Sequence, residues 1–130
     1  MNEVLKEINL PYAHIKYKAP IVYFTYTEDI ELGFPEIRKL ISCAEELSGY
    51  KPYVTFADVK ANINVTNEGK RVLSDMKNMP LFRGTAALVS NNLYKYGANF
   101  LSFFNSPKYP FRAFTSKEEA IKWLLSLPLD

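Results

Sequence analysis

The two residue types that most often hold metals or act as nucleophile and base are nearly missing. The chain has one cysteine, Cys43, and one histidine, His14. A lone cysteine excludes an intramolecular disulfide and fits a reducing compartment. A zinc centre needs three or four Cys, His or carboxylate ligands at close spacing, and no run of carboxylates makes up the shortfall. We therefore expect no metal and no cofactor. Glycine is sparse too, with five residues in 130, and none sits in a phosphate-cradling pattern. Gly69-Lys70 has Asn64 where a P-loop needs its first glycine, and Arg71 where it needs Ser or Thr. There is no Gly-x-Gly-x-x-Gly after a strand and no Gly-x-Ser-x-Gly elbow.

An excess of one charge is also lacking. Sixteen basic residues face fourteen acidic ones for a net +2, and the cations are scattered. A nucleic-acid groove concentrates them, so no nucleic-acid partner is expected. No stretch approaches eighteen apolar residues, which argues against an integral membrane segment. Residues 1–7 lack the apolar core of a signal peptide. These absences lead us to expect a cytoplasmic protein.

What is present is core material. Hydrophobic residues make up 48% of the chain, enough for one self-sufficient domain over 1–130, with 1–11 as an N-terminal arm. Tyr12 to Lys18 alternates, with Ala13, Ile15 and Tyr17 on one face. Ile21 to Tyr26 is β-prone, and the short connection predicts an antiparallel hairpin. Pro35 and Glu36 open a helix whose stripe is Ile37, Leu40, Ile41, Ala44 and Leu47. Pro52 to Val59 is a third strand and Lys60 to Val65 a polar connector. Thr66 caps a helix with Val72, Leu73, Met76 and Met79 on its face. Thr85 to Val89 is a short apolar strand. Asn91 or Asn92 opens a helix to about Asn105, and Phe111 to Phe114 is the last strand. Thr115 and Glu118 form a capping box for the final helix. The order β-β-α-β-α-β-α-β-α predicts an α/β fold with a mixed, mostly parallel sheet and about four helices.

The tail Phe114-Thr115-Ser116-Lys117-Glu118-Glu119-Ala120-Ile121-Lys122-Trp123-Leu124 resembles the closing strand and helix of STAS-like domains. These have the SpoIIAA-like fold of anti-sigma-factor antagonists and of STAS/SEC14-type single-domain proteins. Asp58-Val59, a short loop, then Thr66-Asn67-Glu68-Gly69 and Val72-Leu73 resembles that family's strand-loop-helix, with Gly69 at the motif glycine. Gly97-Ala98-Asn99-Phe100 and Phe104-Asn105-Ser106-Pro107 resemble an uncharacterised bacterial subgroup. The resemblance implies a SpoIIAA-like fold and a non-catalytic regulatory or protein-interaction module, with an unidentified protein partner and a homodimer as its assembly. Antagonists of this family carry a phosphorylatable serine at the start of the second helix. The matching positions here are Asn67 and Glu68, so the resemblance does not bring that switch with it.

Two candidate sites follow. Asp58 stands at the carboxyl end of a central strand, where open α/β sheets place ligand crevices. Asn62, Asn64, Thr66, Asn67, Glu68 and Gly69 follow it and lead into a helix N-terminus. The alternative is that these residues simply make turns and caps. The second candidate is the helix over 91–105, where Tyr94, Tyr96, Asn99, Phe100, Phe103 and Phe104 give an unusually wide aromatic belt. It could line a SEC14/STAS-type pocket for an apolar small molecule, form a subunit interface, or cover the sheet. His14, flanked by Lys16 and Lys18, reads as a solvated strand residue. Cys43, mid-helix, reads as a half-buried filler. Catalysis is not expected.

Overall fold

The computed structural model describes residues 6–89 and 110–130. In chain order these form β1 (Lys6–Asn9), β2 (His14–Lys18), β3 (Ile21–Tyr26), β4 (Ile30–Leu32), α1 (Phe34–Leu47), β5 (Tyr53–Val59), β6 (Ile63–Val65), α2 (Asn67–Ser74), a 3-10 turn (Met76–Asn78), β7 (Phe82–Leu88), β8 (Phe111–Phe114) and α3 (Lys117–Leu125). The main sheet runs β1-β2-β3-β5-β7-β8. The first three strands pair antiparallel and the rest pair parallel. This is the mixed, mostly parallel sheet the element order predicts. Three α-helices lie among the described residues against about four expected; the helix predicted over 91–105 falls outside them.

The helices separate onto two faces. Period-two alternation sends Val22, Phe24, Tyr26, Tyr53, Ala57, Phe82 and Ala87 to the side of α1, whose Ile37, Leu40, Cys43, Ala44 and Leu47 meet them. Ile21, Val54, Phe56 and Ala86 point the other way, onto Ala120 and Leu124 of α3. The central strands are therefore covered on both faces, as parallel strands require.

α1 begins as its sequence demands. Pro35 occupies the first turn, and the Gly33 N–H donates to Glu36 Oε1 at 2.8 Å. Cys43 is more deeply buried than expected, at 3% exposure, because the apolar stripe is wide enough to include it. α2 stops at Ser74, well before Pro80. Asp75 Oδ1 accepts from the Lys77 N–H (3.0 Å), and the Asn78 side chain donates to the Val72 carbonyl (3.1 Å). Short polar side chains thus take over from the helical ladder, and Met76 falls in the 3-10 turn. At α3 the cap is Ser116, one residue later than predicted. Its hydroxyl accepts from the Glu119 N–H at 3.3 Å, so Thr115 and Glu118 are not the reciprocal pair.

Two strands were not legible. Residues 6–9, expected in an arm, form the edge strand β1, held by Ile8 packing against the core. Residues 63–65, expected in a polar connector, form β6, which pairs parallel with β4 in a second small sheet. Ile63 is fully buried there and Asn64 faces out. The ribbon is tied by the Ile30 N–H to the Asn62 carbonyl (3.0 Å) and the Asn62 N–H to Asp29 Oδ1 (2.9 Å).

One irregularity sets up the interior. Tyr53 pairs with Phe82 and Thr55 with Thr85, so β7 carries one extra residue over that interval. Gly84 absorbs it with φ +153, a conformation that favours glycine. Phe82 and Thr85 are three residues apart yet share the α1 face because of this bulge.

Burial pushes the Tyr26 phenol well above the usual tyrosine range, with Tyr12 adding to the shift. Burial likewise raises Tyr12, Tyr17, Tyr23 and the Cys43 thiol. The folded chain therefore keeps protons that the unfolded chain releases near pH ~10 for tyrosine. Stability is fully present below that range and falls as pH rises through it. Urea unfolding at pH 8, 10 and 11 should show midpoints declining above pH ~9 to 10, with a shallower decline in Tyr26→Phe.

Candidate functional site

The residues from Asp58 to Gly69 do not converge. Asp58 is on the α3 side of the sheet, the face of Phe56 and Val54, where its carboxylate lies 3.7 Å from Lys60 Nζ. Asn62 and Asn64 belong to the β4–β6 ribbon and the turn before it. The Thr66 hydroxyl caps α2 by accepting from the Gly69 N–H at 3.1 Å. Asn67 and Glu68 are exposed at the first turn. Gly69 is buried where α2 crosses the ribbon: a Cβ there would come within 2.7 Å of Val65 Cγ1 and 2.9 Å of the Leu32 carbonyl oxygen. Its role is close packing, which accounts for the glycine without a ligand.

Asp58 instead lines an open groove of about 690 Å³ with Tyr23, Thr25, His14, Lys16, Lys18 and Lys117. His14 Nε2 lies 3.7 Å from a Glu7 carboxylate oxygen, and both side chains are nearly half exposed. That agrees with a solvated strand histidine; the sequence neighbours Lys16 and Lys18 did not reveal Glu7 across the β1–β2 pair.

The second feature is more apolar and lies deeper in the core. Between the sheet and the α1–α2 layer lies a cavity of about 120 Å³. Phe24, Tyr26, Tyr53 and Phe82 form its sheet-side walls, and Ile37, Leu40, Ala44 and Leu73 its helix side. Thr55, Ala57 and Thr85 make the floor. Its rim holds the half-buried Ile41 and Leu73 and the exposed Ser74. The cavity exists because β5 and β7 present short side chains where buried strands usually present Val, Ile or Leu. The sequence held a signal for it: Thr55 and Ala57 alternate in YVTFADV, and Thr85 and Ala87 in FRGTAAL. Reading those runs as simple core concealed the gap.

Tyr94, Tyr96, Asn99, Phe100, Phe103 and Phe104 lie outside the described residues. Among the described residues, no group of three or more His, Cys, Asp or Glu is placed to hold a metal. No helix among them is long and apolar enough to cross a membrane.

One family's sequence model, described as a domain of unknown function (DUF7793), matches residues 15–127. The chain belongs to DUF7793. The match spans everything from β2 to the end of α3, so it covers the cavity walls and both sheet faces. Among solved structures, this DUF7793 chain is similar to an uncharacterized protein of the DUF3478 family with a SpoIIAA-like fold from Shewanella loihica PV-4. That likeness covers 95% of this chain and 98% of the other, at 16% identity and a TM-score of 0.52. It shows a SpoIIAA-like fold, as the resemblance implied. No curated protein matches the sequence.

The packing account of Gly69 makes a clear prediction. Gly69→Ala should destabilise the fold by about 1–3 kcal/mol, because the ribbon backbone cannot yield to the new methyl. Asn67→Arg with Glu68→Lys, both exposed, should shift stability by less than about 0.5 kcal/mol. Urea midpoints of the two variants check this, and a neutral Gly69→Ala would contradict it.

Proposed function

We propose that this DUF7793 chain is a non-catalytic, STAS-like binding module that takes a small apolar molecule into the cavity between its sheet and α1–α2. The observation that carries the reading is the cavity itself. It is about 120 Å³ in volume, walled by aromatic and aliphatic side chains, with a few hydroxyls. Small-molecule sites are concave and mainly apolar, with few polar groups. An engineered apolar cavity of ~150 Å³ in another protein stays dry and binds benzene.

The titratable residues favour binding over catalysis. Cys43 is buried, and burial raises its thiol pKa, away from the thiolate a nucleophile needs. Asp58 and His14 border an open groove far more polar than the cavity.

α2 connects the cavity to a surface. Leu73 and Ser74 line the cavity rim, while Asn67 and Glu68 project from the first turn of the same helix. This supports a second role as a protein-interaction module, with α2 reporting the state of the cavity to a partner. The Thr66 hydroxyl is engaged as the cap of α2, and the exposed positions beside it are Asn67 and Glu68, which do not take phosphate as Ser or Thr does.

The test is native mass spectrometry of the purified protein beside its denatured mass. A small adduct that disappears on denaturation is expected. Ala57→Leu, which adds three carbons to the cavity floor, should lose the adduct while keeping or gaining stability, by up to about 2 kcal/mol for a filled cavity. Equal native and denatured masses, with no thermal shift on adding benzene, would contradict the reading. Amide hydrogen exchange provides the check on α2, whose amides should exchange more slowly when benzene is bound.

A further inference from the structure

Two threonine hydroxyls in the cavity floor lack a bonding partner among the described residues. Thr55 is 9% exposed and Thr85 is 2% exposed. The nearby Ser74 hydroxyl differs, because it donates to the Arg71 carbonyl at 2.9 Å. Buried polar groups are nearly always paired, and an unpaired one costs the desolvation of that group. Valine has the same shape as threonine without a hydroxyl to desolvate, so packing alone would place valine at both positions.

The two threonines are also neighbours. Thr55 and Thr85 are direct register partners on adjacent parallel strands, which lie ~4.8 Å apart. As register partners they share the α1 face, and the extra residue at Gly84 brings Phe82 onto that face beside them. One ligand oxygen placed over the pair can meet both hydroxyls. The other polar groups lining the cavity are the Ser74, Tyr26 and Tyr53 hydroxyls, and among the described residues no Asp, Glu, Lys, Arg or His lines it. An ionised ligand would lose its hydration there with no countercharge to replace it.

We infer that Thr55 and Thr85 form the polar anchor of the cavity and select an uncharged, ring-sized apolar ligand bearing one hydroxyl or carbonyl oxygen. This rests on the binding reading above and specifies its ligand. The hydroxyls hold the oxygen at the sheet floor, and the ligand's apolar body packs against Phe24, Leu40 and Phe82. Such sites discriminate strongly, because an analogue lacking the oxygen leaves the buried groups unpaired.

The experiment measures binding of three probes, benzene, phenol and benzoate at neutral pH, by calorimetry to the wild-type protein and to Thr55→Val/Thr85→Val. Wild type should bind phenol about tenfold more tightly than benzene, the gain expected for about one net hydrogen bond, and benzoate not measurably. The double valine variant should keep benzene binding, lose the preference for phenol, and melt at a higher temperature than wild type. That rise marks the removal of two unpaired buried hydroxyls and is readable without any ligand. Failure of all three probes to bind wild type would overturn the binding reading itself. Benzene binding with no phenol preference in wild type, or a preference that survives in the double variant, would overturn the threonine anchor alone. Tightest binding of benzoate would overturn the uncharged ligand class.

Discussion

The distance between the sheet and the α1–α2 layer is set by aromatic side chains at the ends of the interior strands. Tyr53 and Phe82 pack at 6.2 Å between ring centroids, and Phe24 and Tyr26 stack at 6.3 Å. These rings stand on the α1 face and, with Ile37, Leu40 and Ala44, wall the cavity between helix and sheet. Between them β5 and β7 offer only Thr55, Ala57, Thr85 and Ala87. Helix and sheet cannot close on such short residues while the rings prop them apart. Interiors normally fill to crystal-like density, so this gap is a property of the residue choice at a few strand positions.

The opposite face has no such mismatch. Ala86 and Ala120 are both small and let α3 come down onto Val54, Phe56 and Leu124. Arg83 clamps the end of the chain there by donating from Nε to the Leu129 carbonyl at 2.9 Å and from Nη1 to the Pro80 carbonyl at 2.7 Å. On one face α3 packs directly onto the sheet beside the open groove at Asp58, and the other face is propped and hollow. The register shift at Gly84 contributes to this, because it puts Phe82 on the same face as Thr85. A module built this way can admit a small molecule on one side without disturbing the packing that keeps the sheet intact on the other.

Much of the fold was legible in the sequence because its signals are local. Alternation in Tyr12 to Lys18 placed Ala13 and Ile15 inside, and the stripe in α1 needed only its period and Pro35. β1 and β6 were missed because four- and three-residue strands carry too little alternation, and their burial depends on partners distant in the chain. The candidate site fared worse. The Asp58 to Gly69 run looked continuous, yet alternation at Asp58 sends it to the α3 face while the ribbon carries Asn64 to Gly69 toward α1. The cavity floor was written in three short side chains, Thr55, Ala57 and Thr85, but a gap is a relation between layers. It becomes visible only when the aromatic props and the bulge at Gly84 are known.

The account stands on one claim, that the floor formed by Thr55, Ala57 and Thr85 stays uncollapsed beneath α1. Diffraction from crystals pressurised with xenon tests it most directly, since xenon enters apolar cavities of this kind. The account predicts a xenon peak between those three residues and Leu40, with Phe24 and Phe82 at its sides. A map with no xenon there, and Leu40 settled onto Ala57, would contradict it.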